Sequence, residues 1–164
     1  MTVQTGIGFD CHPFAEGRRL VIGGVELPAD RGLAGHSDAD VLTHAIIDAL
    51  LGAAGLADIG HQFPDTDERY RDADSIDLLR ATMGLVGERG LSVVHVDATV
   101  MLERPKLAPV REQIQEVLAG AIGIAPEHVS VKATRGEGMG FVGREEGAAA
   151  LAIATLATTE RERE

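Results

Sequence analysis

Tryptophan is absent from this chain, tyrosine occurs once and phenylalanine four times, so Ala, Val, Leu and Ile must fill whatever core it builds. Small side chains of that kind favour close backbone packing. The single cysteine excludes an internal disulfide, and no N-terminal apolar stretch is long enough for a secretory signal or a membrane span. These absences point to a cytoplasmic protein with no membrane partner. Basic residues are also scarce, 15 against 26 acidic ones, giving a formal net charge of −11. That balance argues against broad electrostatic binding to nucleic acid or anionic lipid. A phosphorylated small substrate is still compatible with it, if metal ions, a few cations or helix N–H groups neutralise the phosphate locally. The 45% hydrophobic content over 164 residues suits one compact domain, 1–164.

Hydrophobic periodicity divides the chain into elements. Residues 2–9 read as a strand, and RLVIGGVELP (19–28) as a hairpin turning at Gly23-Gly24. A helical pattern begins at Ser37, with Ser37-x-x-Asp40 as a capping box and Gly55 as the stop. A second helix fits Ser75 to Glu88. LSVVHVDATVMLE (91–103) alternates His95, Asp97 and Thr99 against Val94, Val96, Ala98 and Val100, a strand with one wetter face. Pro109 suits the first turn of a third helix, and HVSVKAT is another short strand before the glycine-rich RGEGMGFVG. The run GAAALAIATLA (147–157) fits either a helix or a close-packed strand, and TERERE (159–164) reads as a frayed, charged tail. These elements imply an α+β, two-layer fold of the broad α/β class, with a mainly antiparallel or mixed sheet covered on one side by helices.

Polar residues punctuate this apolar pattern. In GIGFDCHPF (6–14), Asp10 and His12 project to the same side of an extended chain, where they can grip a metal or form a polar strand end. Gly6 and Gly8 lack the third glycine and the helix that a dinucleotide fingerprint requires. Asp40, His44 and Asp48 follow at i, i+4 and i+8 and line one stripe of an otherwise apolar helix, facing a site or an interface. His44 beside Asp10 and His12 would place two nitrogens and one oxygen around a zinc ion, with a fourth position open. His36 and Ser37 sit where free N–H groups favour an anion, unless Ser37 is only a cap. DIGHQFPDTD (58–67) reads as an Asx-type turn or as a set of acceptors for a polyol. Arg104 and Lys106 flank Pro105 in a solvated loop or a phosphate contact, and Lys132, Thr134, Arg135 and Glu137 stand where glycines let backbone approach a ligand.

Taken together, GxGFDxH, IGG, HSDxD entering DALLGA, DIGxxFPDTD, DSxxLL, PK, VKAT, GF and GRxEG cover almost the whole chain. They resemble the 2-C-methyl-D-erythritol 2,4-cyclodiphosphate synthase family of non-mevalonate isoprenoid biosynthesis. The resemblance implies zinc on Asp10, His12 and His44, and magnesium or manganese on Glu137. It assigns the diphosphate region to His36 and Ser37. The methylerythritol phosphate pocket falls to Asp58, Ile59, Gly60, Phe63, Asp65, Thr66 and Asp67. Lys106, Ala133 and Thr134 fall in the nucleotide pocket, and Phe141 and Arg144 in further substrate contacts. It also implies a homotrimer with a site at each subunit interface, its Ala-rich strands packed closely between subunits, and an isoprenoid diphosphate as a ligand of the trimer cavity. The chain departs from the family at Arg135, where a threonine commonly polarises the phosphate under attack. Either Arg135 replaces that hydrogen bond or Thr134 makes it.

The implied reaction suits an acidic protein. The substrate's own 2-phosphate attacks the β-phosphorus of its diphosphate and CMP leaves, so the protein need only position and screen two anionic phosphates. Two other classes share the same residues. A metal-dependent phosphohydrolase would give a linear product, and a non-enzymatic isoprenoid- or metal-binding module would give no turnover.

Overall fold

The computed structural model describes residues 1–158; the charged run at 159–164 lies outside them. β1 (Val3–Glu16) runs antiparallel to β7 (Gly147–Thr158), from Val3 opposite Ala157 to Pro13 opposite Gly147. The strand expected to end at residue 9 therefore continues, because β7 offers it a partner as far as Pro13. Asp10 and His12 sit within the strand, opposite Ala150 and Ala148, and not at its end. Past Pro13 the strand pairs with β4 (Arg31–Leu33). On its other edge β7 pairs antiparallel with β5 (Leu91–Met101), and β5 pairs parallel with β6 (Val129–Thr134). The result is a mixed five-stranded sheet, ordered β4-β1-β7-β5-β6.

β2 (Leu20–Ile22) and β3 (Val25–Leu27) form a separate hairpin. Gly23 and Gly24 take φ of 59° and 75°, the positive values that a type I′ turn demands of both central residues. Three helices follow the sequence pattern, one of them starting late, and two short ones fall within the expected turn at 58–67 and the glycine-rich loop. α1 spans Val41–Ala53, α2 Ile59–Gln62, α3 Ser75–Glu88, α4 Arg111–Ile122 and α5 Gly140–Gly143. α1 begins four residues after the expected Ser37, because the cap is Asp40. Its carboxylate accepts from Thr43 N–H (3.1 Å), Thr43 Oγ1–H (2.7 Å) and the Gly23 and Gly24 amides (2.8 and 2.7 Å). One buried carboxylate thus starts a helix and ties down the hairpin.

The sheet alternates faces. On β7, Ala148, Ala150, Ala152 and Ala154 are buried on one side, while Leu151 and Ile153 are exposed on the other. β1 shows the same division, with exposed Ile7 and Phe9 against Gly6 and Gly8. The glycines explain how α1 lies so low on the sheet. A Cβ on Gly6 would fall 2.1 Å from the Ala49 carbonyl oxygen, and one on Gly8 1.9 Å from that of Ala45. The alanines of β7 serve the same purpose. They face the buried side against the chain's own helix, while Leu151 and Ile153 of the same run are exposed. One correction concerns β5, where a bulge between Val93 and His95 breaks the alternation and turns Val94 outward, 46% exposed. Beyond it the expected pattern holds, with Val96, Ala98 and Val100 buried.

Candidate functional site

Helix α1 descends over β1 in steps of one turn, with Ala53 and Ala49 above Gly6 and Ala49 and Ala45 above Gly8. One further step along the strand reaches Asp10, and there the helix presents His44. The Nδ1 atom of His44 and the Nε2 atom of His12 each lie 3.0 Å from the same Asp10 oxygen, Oδ2. The imidazole rings meet edge to face at 66°, with centroids 5.6 Å apart. Donor atoms of the three residues fall within 4.8 Å of one another. Their chemistry fits zinc: two imidazoles and a carboxylate are a usual catalytic set, and the 3.0 Å separations approach the ~3.3 Å edge of a tetrahedron with ~2.0 Å bonds.

Electrostatics follow from that convergence. Burial pushes the Asp10 carboxyl up, but hydrogen bonds from His12 and His44, with their charges, bring it down to about 2. Burial likewise opposes charge on His44, yet the hydrogen bond to Asp10 and the carboxylates of Asp10, Asp40 and Asp38 raise its pKa. The far nitrogen, His44 Nε2, faces two hydroxyls, Ser75 Oγ at 2.8 Å and Ser37 Oγ at 3.1 Å. Ser75 in turn meets Asp38 through Oγ–H and, at 3.0 Å, through its backbone N–H. Arg18 fixes the preceding loop, donating to the Leu33 and Ser37 carbonyls at 3.0 and 2.7 Å.

A cavity of about 330 Å³ gathers Asp10, His12, His36, Ser37 and His44 with Ile59, Gly60, Phe63 and Asp65. Asp58 lies outside that lining and caps α2 through the His61 amide, while the Ile59 amide donates to Asp48 at 2.8 Å. Thr66 is exposed, and the Asp67 carboxylate is bound by Arg69, its pKa lowered chiefly by that hydrogen bond. The expected polar stripe of α1 is thus divided: His44 enters the cavity, Asp48 steadies α2, and Asp40 is a buried cap.

The remaining candidates lie elsewhere in the chain. Lys106 and Arg135 line a separate cavity of about 640 Å³ that shares no lining residue with the first. Ala133, Thr134 and Glu137 are exposed, Phe141 is 40% exposed, and Arg144 pairs with Glu146 at 3.0 Å. Arg135 does not stand free, since its Nη2 lies 3.3 Å from Oε1 of Glu103, a carboxylate that also accepts from the Gly136 amide at 2.7 Å. Sequence reasoning missed Glu103, Asp38 and Ser75 as partners of site residues. For the last two a signal existed in HSDxD and DSxxLL, which were read as a helix start and an isolated helix.

Comparison with known proteins gives a concordant picture. The model of the YgbB family matches residues 3–157. The chain is 60% identical to the bifunctional enzyme IspD/IspF of Anaeromyxobacter dehalogenans, covering 94% of this chain but only 40% of that longer protein. It is 58% identical to the 2-C-methyl-D-erythritol 2,4-cyclodiphosphate synthase of Rubrobacter xylanophilus, over 93% of this chain and 94% of that one. A solved synthase of the same name, in a CDP-bound form, superposes with a TM-score of 0.86 at 36% identity, covering 94% of this chain and all of that one.

Proposed function

Because this chain belongs to the YgbB family, we propose that it converts 4-diphosphocytidyl-2-C-methyl-D-erythritol 2-phosphate to 2-C-methyl-D-erythritol 2,4-cyclodiphosphate and CMP. The observation that carries the reading is the convergence of Asp10, His12 and His44 within a cavity that also holds His36, Ser37 and Asp65. An oxygen of the 2-phosphate forms a bond to the β-phosphorus as the bond from that phosphorus to the α-phosphate oxygen breaks, and CMP departs with that oxygen. The attacking oxygen is already anionic, so no general base is needed.

Zinc on Asp10, His12 and His44 would supply positive charge to the phosphate oxygens. Glu137 offers the single carboxylate that magnesium or manganese uses together with phosphate ligands. His36 and Ser37 orient the diphosphate, and Ile59, Gly60, Phe63 and Asp65 hold the methylerythritol end with Asp58, Thr66 and Asp67 at its rim. Lys106, Ala133, Thr134 and Arg135 take the nucleotide and attacked phosphate, with Phe141 and Arg144 beyond them. The relative solved with CDP supports a cytidine nucleotide as ligand.

Two separate cavities within one chain suit a homotrimer in which each complete site joins the metal cavity of one subunit to the Lys106 cavity of another. The exposed Ile7, Phe9, Leu151 and Ile153 would then be covered in the assembly or by an isoprenoid diphosphate in its cavity. No helix among the described residues is long and apolar enough to cross a membrane, in keeping with a cytoplasmic enzyme. Incubation with the diphosphocytidyl substrate tests the activity. A cyclic diphosphate plus CMP is expected, whereas a linear phosphate would identify a hydrolase and no turnover a binding module. Sedimentation tests the assembly, with a fully active monomer as the contrary result.

A further inference from the structure

We propose that Ser75 and Asp38 are positioning residues that fix the tautomer of His44, keeping hydrogen on Nε2 and the Nδ1 lone pair open toward Asp10 and His12. The proposal rests on the reading of Asp10, His12 and His44 as a metal site.

A neutral imidazole carries a single N–H, and a metal can bind only the nitrogen that lacks it. His44 places Nδ1 3.0 Å from Asp10, so Nδ1 is the ligand atom and Nε2 must hold the hydrogen. Asp10 pulls the other way, because a carboxylate beside Nδ1 favours hydrogen on that atom. Something on the far side must outweigh it.

The nearest group to Nε2 is Ser75 Oγ, at 2.8 Å and fully buried. A hydroxyl either donates or accepts, and its choice depends on where its own hydrogen goes. Here Asp38 settles that choice. Its Oδ1 accepts from Ser75 Oγ, and its Oδ2 accepts from the Ser75 amide at 3.0 Å. Oδ1 also takes the Asp40 amide at 3.2 Å. An ionised carboxylate is only an acceptor, so the Ser75 hydrogen points at Asp38 and its lone pairs face His44. Without Asp38, Ser75 could donate to Nε2 and drive the hydrogen onto Nδ1, closing the ligand position. Ser37 Oγ, 3.1 Å from Nε2, accepts from the Ala39 amide at 3.4 Å and meets no carboxylate among the described residues, so it does not impose a direction by itself. Metal-binding histidines commonly carry a partner on the second nitrogen, and its loss costs roughly 10–100-fold in metal affinity.

The experiment is nitrogen-15 NMR of the His44 ring in metal-free protein at alkaline pH, with Asp10 in place as the competing acceptor. The parent is expected to show hydrogen mainly on Nε2. Ser75→Ala, the gentler change, or Asp38→Ala is expected to shift the majority to Nδ1, where Asp10 then holds it. A parent already protonated mainly on Nδ1, or a majority tautomer unchanged by either replacement, overturns the proposal. Ser75→Ala should also weaken zinc binding roughly 10–100-fold in chelator competition. A parent chain that binds no metal would refute the metal-site reading, while the metal-free tautomer comparison would still decide the roles of Ser75 and Asp38.

Discussion

Gly8 and the carbonyl of Ala45 are so close that a Cβ on the glycine would lie 1.9 Å from the oxygen. The same stacking that leaves no room for a methyl group brings His44 down onto Asp10. Gly8→Ala is therefore expected to cost about 3 kcal/mol through overpacking and to lift α1, with His44, away from Asp10 and His12. Thermal unfolding with a zinc titration checks it, and an unchanged midpoint with intact affinity would contradict this account.

Asp40→Asn tests the cap. Burial and the Asp38 carboxylate push the Asp40 pKa up, while the Thr43 and Gly23 hydrogen bonds oppose them. An amide cannot accept from donors on both of its arms, so the change should cost about 2–3 kcal/mol. Loss of that stability in denaturant unfolding, with faster hydrogen exchange of the Gly23 and Gly24 amides, is the expected result.

The metal-free protein should respond to pH in opposite senses at the two ends of the scale. His44 has a raised pKa, so its contribution is complete below the ordinary imidazole value near 6.5 and is lost as pH rises through the folded value. Asp10 is depressed to about 2, so its contribution is present above 3.8 and lost as pH falls through about 2. Metal must displace the His44 proton, and zinc affinity should therefore keep rising above pH 6.5, with proton release on binding. Calorimetry in buffers of different ionisation enthalpy measures that release.

Arg135 retains guanidinium donors beyond the one that faces Glu103, and it lines the Lys106 cavity. Arg135→Ala should lose roughly 2–4 kcal/mol of transition-state stabilisation, and Arg135→Thr should recover part of it. If Arg135→Ala turns over like the parent while Thr134→Val is crippled, Thr134 makes the hydrogen bond. Steady-state kcat/KM for the three variants distinguishes the two.

Much of the fold could be read from periodicity. The hairpin at Gly23-Gly24, the helix from Ser75 to Glu88 and the strand at 129–134 stand where their patterns put them, because each carries a local turn or cap signal. Legibility failed where distant residues decide. Val94 turns outward through a bulge that β5 acquires only against β7. Ser37 looked like a cap, but Asp40 wins that place through amides 16 or 17 positions earlier. Asp10, His12 and His44 were legible because strand and helix spacings each put one polar face on display. Ser75, from 31 positions further on, was not.

Two cavities with no common lining residue also have a genetic consequence. If each working site takes its metal ligands from one subunit and Lys106 from another, lesions in the two halves are complementary. His44→Ala and Lys106→Ala subunits, each inactive alone, should regain activity when refolded together, since random assembly leaves about one interface in four with both halves intact. Two defective copies expressed in one cell would then support growth that neither sustains alone.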